Sequence, residues 1–64
     1  MNGKTLRIIR IHLDLTQEEM ADKMGVTTNT IARWERDEVP INETAIKLAL
    51  TFLDTDGMRK VLAS

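Results

Sequence analysis

Cysteine is absent from this 64-residue sequence, and so is tyrosine. Without cysteine there is no disulfide framework, no thiolate metal site and no cysteine nucleophile. Histidine occurs once, at His12, and serine once, at Ser64. A lone histidine near a helix end is expected to be partly exposed, not a ligand or a base. The carboxylates show no metal-ligand spacing, and so short a chain leaves little room for a catalytic pocket. These absences argue against an enzyme, and no cofactor or small-molecule ligand is implied.

Long apolar runs are also missing. None approaches the roughly 18 residues that a membrane helix needs. The first residues, Met-Asn-Gly-Lys, lack the apolar segment of a signal peptide. A cytoplasmic protein with no membrane role is the expectation. Glycine occurs three times, proline once, and the only aromatics are Trp34 and Phe52. So few breakers, with 42% apolar and 30% charged residues, suit a compact helical domain and argue against disorder. Residues 1–64 make one domain, near the lower size limit for folding on an apolar core alone. Its core must be mostly aliphatic residues and methionine.

Net charge is scarce too, at −1. Its distribution says more. Residues 1–13 carry +3 with no acid, residues 14–24 carry −3, and residues 37–43 carry −3. One surface can therefore be locally positive while another is acidic.

What the sequence does contain is a stretch, 16–36, in which nearly every position has a structural reason. Thr16 is an N-cap and Glu19, three residues on, completes a capping box. Met20 and Met24 share one helical face, and Ala21 marks a close approach. Gly25 supplies the left-handed residue that stops a helix. Val26 fits the corner, Thr27 is a second N-cap, and Ile31 and Trp34 recur at helical spacing. An aromatic between basic residues could stack on a base, but this spacing turns Trp34 inward. Two short helices with a sharp corner result, and the second presents Thr28, Asn29, Thr30, Arg33 and Arg36 outward.

With Gln17, Met20, Ala21, Met24, Gly25, Val26, Ile31 and the Trp34-Glu35 pair at these offsets, the stretch resembles the helix-turn-helix of the Cro/lambda-repressor family. The resemblance runs from about Leu6 to Leu53. It implies an all-α bundle of four to five short helices that binds double-stranded DNA through the major groove. By that likeness Thr28, Asn29 and Arg33 read bases. Asparagine can pair with adenine, arginine can grip guanine, and threonine can touch a thymine methyl. Gln17, at a helix N-terminus where phosphate is attracted, is expected on the DNA backbone. Thr27, Thr30, Arg36 and Asn42 are further phosphate candidates. The likeness also implies an ion pair between Arg10 and Glu35, which would fix an angle between helices more than add stability. The sequence departs from the pattern at Asp37-Glu38, where many relatives carry Gly, Lys or Arg. Two acids there are expected to oppose phosphate approach.

The flanks read more simply. Residues 3–13 form a first helix capped by Asn2, with Leu6, Ile9 and Leu13 inward and Ile8 and Ile11 widening that face. Pro40 keeps 37–41 in a loop. Asn42 caps a fourth helix to about Leu53. Its apolar content predicts burial on more than one side, as the element around which the others pack. After the break at Asp54–Gly57 comes a last short helix, within 56–64. Its stripe of Met58, Val61 and Leu62 either closes the core or meets a second subunit, and the second use is the expectation. The whole reads as a phage or bacterial repressor, a homodimer on a palindromic operator, possibly its own. A protein-interaction module of the same fold, such as an antitoxin or antirepressor partner, is the alternative.

Overall fold

The first helix, α1, spans Gly3–His12 and begins where Asn2 accepts the Thr5 amide at 2.9 Å. Leu6 and Ile9 are fully buried on its inner side. It ends at Leu13, followed by Asp14 in the left-handed region at φ 59°. Short polar side chains such as aspartate tolerate that region. Ile11 does not widen the buried face: it is 58% exposed, on the side of the helix away from Leu6 and Ile9.

In the computed structural model, which describes residues 1–63, four more helices follow. They are α2 Gln17–Met24, α3 Thr28–Glu35, α4 Glu43–Thr51 and α5 Thr55–Ala63. There is no strand among the described residues. The capping box at the start of α2 is complete. The Glu19 amide donates to Thr16 Oγ1 at 3.1 Å, and the Thr16 amide donates to Glu19 Oε1 at 2.9 Å. Gly25, at φ 72°, ends α2, and the Val26 amide reaches back to the Ala21 carbonyl at 3.0 Å. This pairing satisfies a carbonyl that a helix end would otherwise leave orphaned. Thr27 then caps α3 through the Thr30 amide at 3.2 Å.

The large, fully buried side chains are Leu6, Ile9, Met20 and Ile31, from α1, α2 and α3. Trp34 joins them from α3. The fourth helix is not the element around which the others pack. It buries only Ala45 and Ala49, its Leu48 is 36% exposed, and Ile46 and Leu50 are half-buried. An all-round apolar composition specifies how much surface a helix wants covered, not which side finds a neighbour. Small alanines bring α4 close, and the three preceding helices already fill the interior.

The last helix starts when Asp54 Oδ1 accepts the Gly57 amide at 2.7 Å. Gly57 is buried against α1, where an added Cβ would lie 2.7 Å from the His12 ring. His12, the last residue of α1, is partly exposed as expected, and it packs against this turn. Its side chain is 14% exposed, with Nε2 3.3 Å from Asp54 Oδ1 and Nδ1 3.3 Å from Lys60 Nζ. Of the expected stripe, Val61 packs on the core while Met58 and Leu62 stay exposed, Leu62 by 81%. Ser64, at the end of the expected dimerisation helix, lies outside the described residues.

Candidate nucleic-acid interface

One side of α3 is sealed by Ile31 and Trp34, so the opposite side must face out. Thr28, Asn29 and Arg33 occupy that outer side and are exposed. Their side chains make no hydrogen bond or ion pair with the described residues. Donors and acceptors without internal partners, on a rigid helix, are free to pair with an outside surface. Thr27 and Thr30 sit at the same helix start, with their hydroxyls 2.8 Å apart.

The C-terminal end of this helix is tied to both neighbours. Arg10 Nε donates to Glu35 Oε2 at 2.7 Å and Arg10 Nη2 to Glu35 Oε1 at 3.1 Å. The pair is bidentate, with the two side chains 14% and 6% exposed. Arg10 Nη1 also donates to the Leu15 carbonyl at 3.0 Å, and Gln17 Nε2 donates to Glu35 Oε1 at 3.3 Å. So α1, the start of α2 and the end of α3 share one charge-assisted network. No buried side-chain polar atom of the described residues lacks a partner.

This network also engages Gln17. Its side-chain Nε2 is turned to Glu35, and its Oε1 and its backbone N–H at the head of α2 have no partner among the described residues. The capping box uses the amides of Thr16 and Glu19 and leaves those of Gln17 and Glu18 unclaimed. The Thr16 amide, and then its hydroxyl, hold the Glu19 carboxyl below its ordinary range. Asn42 Oδ1 is likewise engaged, accepting the Ala45 amide at 2.8 Å as the cap of α4.

Both acids of the loop after α3 have partners within the chain. Glu38 pairs with Arg36 at 2.7 Å, both residues being well exposed. Asp37 turns into the left-handed region at φ 59° and accepts the Gly3 amide at 2.8 Å. The bond joins residues 34 apart, and sequence reasoning missed it. The signals were weak but present: an aspartate where a helix ends, and a glycine at the first position of another helix.

A family model described as helix-turn-helix matches residues 6–57. The chain belongs to the Cro/lambda-repressor-like helix-turn-helix family. No curated protein and no solved structure matches it. The family match spans α2, the corner and α3 completely and stops inside α5. In a helix-turn-helix protein of this kind, a DNA-binding regulator, the second helix of the motif is the one that enters the major groove. Here that is α3, with its outer face open. No helix of the described residues is long and apolar enough to cross a membrane.

Proposed function

We propose that this chain is a sequence-specific regulator that reads double-stranded DNA with the outer face of α3. Thr28, Asn29 and Arg33 are the base-reading residues in this reading. The observation that carries it is the lack of internal partners for these three side chains on a helix otherwise anchored from behind. Thr27, Thr30, Arg36, Asn42 and the head of α2 at Gln17 set the register on the phosphates. Arg36 reaches phosphate by exchanging its exposed partner Glu38, a pair worth little in water.

A dimer suits so small a module, because one copy buries too little surface for a typical specific affinity. Met58 and Leu62 are the contact residues in this reading, since Val61 packs on the core. A two-fold dimer requires half-sites about one helical turn, roughly 34 Å, apart. Blocking a promoter, including its own, is the simplest action open to such a chain. A protein-partner module of the same fold is the alternative; the acids Asp37 and Glu38 are the feature that favours it, and their pairing with Gly3 and Arg36 leaves them less available to a partner.

The test is fluorescence anisotropy on a duplex from upstream of the chain's own gene, beside a scrambled duplex, at two salt concentrations. The native duplex should bind more tightly, weaken with salt and take two protomers. Arg33→Ala should cost about 1–3 kcal/mol on the native duplex, the value of one bidentate base contact. Equal, feeble binding to both duplexes would move the assignment to the protein-partner module.

A further inference from the structure

We propose that Asp37 is a positioning residue for DNA reading: its carboxylate latches the end of the recognition helix to the first amide of α1. The proposal rests on the reading of α3 given above. Asp37 follows Arg36, the residue that closes α3, and its own amide donates to the Trp34 carbonyl at 3.1 Å. Its left-handed backbone, φ 59°, swings the side chain back across the end of α3. There Oδ1 meets the Gly3 amide at 2.8 Å.

Gly3 completes the fit. It is buried, and a Cβ at this position would collide with the main-chain carbonyl oxygens of Trp34 and Glu35. The contact is therefore backbone on backbone. The amide end of one helix faces the carbonyl end of another, and a carboxylate closes the gap. Each helix end is the electrostatic complement of its neighbour.

A second clamp lies two turns further along α1, where Arg10 grips Glu35. Ile31 and Trp34 seat α3 in the core, and the Asp37–Gly3 bond adds to the Arg10–Glu35 pair a second polar tie to α1. Tilt of α3 about that pair is thereby limited, which keeps Asn29 and Arg33 in register with the head of α2. Base readout depends on sub-ångström placement of such groups. The acid that the sequence sets against phosphate thus serves the binding it was expected to oppose.

Plain charge repulsion and the latch make opposite forecasts. A consensus duplex is first selected from a random library by the wild-type chain. If no consensus emerges, the DNA reading of α3 fails and the proposal falls with it. Given a consensus, wild type, Asp37→Gly, Asp37→Asn and Gly3→Ala are titrated against it and against a scrambled duplex. Glycine keeps the left-handed backbone and removes only the carboxylate.

Although Asp37→Gly removes a negative charge, it should weaken consensus binding roughly five- to tenfold, about the worth of one intramolecular hydrogen bond. Its scrambled-duplex affinity should not fall. Asp37→Asn, which keeps an acceptor at Oδ1, should stay within about twofold of wild type. Gly3→Ala should follow Asp37→Gly without altering any charge. Tighter binding of Asp37→Gly to both duplexes, or wild-type behaviour of a folded Gly3→Ala, would overturn the latch. If Gly3→Ala does not fold, exchange of the Gly3 amide decides. Faster exchange in Asp37→Gly, restored in Asp37→Asn, supports the latch, and unchanged exchange in Asp37→Gly overturns it.

Discussion

The helix-turn-helix, residues 16–36, and the C-terminal pair α4–α5 both pack on α1, but they do so with different parts. The first buries long side chains: Met20, Met24, Ile31 and Trp34. The second has only Ala45, Ala49 and Gly57 among its buried residues. Of its larger apolar residues, Leu48, Met58 and Leu62 stand on the outside, and Leu50, Phe52, Leu53 and Val61 pack against the core while only partly buried. One region fills the interior with large side chains, while the other buries small residues that bring backbones close and packs its larger side chains at the edge. Losing volume should hurt the first, and adding volume should hurt the second.

The largest expected contrast tests the first half of that statement. Ile31→Ala leaves a cavity among fully buried neighbours and should cost about 3 kcal/mol, within the usual range for such truncations. Leu48→Ala, at a partly exposed site, should cost under about 1 kcal/mol by the same bookkeeping. Urea denaturation of the two variants measures both. Similar losses would mean that α4 carries more of the core than its burial indicates.

The next contrast sets two glycines against each other. Gly25 has a positive φ and nothing within 4 Å of an added Cβ, so its constraint is conformational. Gly57 is helical, and a Cβ there meets the His12 ring at 2.7 Å and Leu53 Cδ2 at 2.8 Å. Alanine at Gly57 gains helix propensity but overpacks, for a net loss of about 1 kcal/mol. Alanine at Gly25 should lose a similar amount, about 1 kcal/mol, for backbone reasons alone. Asparagine separates them, because it tolerates the left-handed region but is bulkier. Gly25→Asn should melt near wild type in a thermal scan, and Gly57→Asn well below it.

The smallest effect is electrostatic. Asp54 is held below its ordinary range first by the Gly57 amide and then by His12, and Glu19 by the Thr16 amide. A carboxyl whose folded value is depressed contributes stability above its unfolded value and loses it as pH falls through the folded one. Acidification through the carboxylate range should therefore loosen both helix starts. Asp54→Asn and Glu19→Gln should each flatten part of that acid limb in urea melts taken at a series of pH values. Amide exchange should place the Asp54 effect in α5 and the Glu19 effect in the first turn of α2. A uniform loss across the chain would erase the distinction between the two regions.

How legible each region was in the sequence follows from the same difference. Thr16, Glu19, Gly25 and Thr27 act on neighbours three to five residues away, so their roles could be read from spacing alone. The outward placement of Thr28, Asn29 and Arg33 follows from the inward placement of Ile31 and Trp34 on one short helix. The meeting of Arg10 with Glu35 joins residues 25 apart, and it was anticipated only through family likeness. Asp37 with Gly3 and His12 with Asp54 join residues 34 and 42 apart, too far for spacing along the chain to pair them.

By itself, then, the sequence determined the helices, their caps, the corner at Gly25 and the open face of α3, because these depend on short-range periodicity and local hydrogen bonds. Only the tertiary structure decided that α4 lies at the margin, that Ile11 and Leu62 stay outside, and that the loop acid Asp37 closes onto α1. Those outcomes depend on which surfaces find neighbours across a small, crowded core, and apolar content along the chain does not encode that pairing.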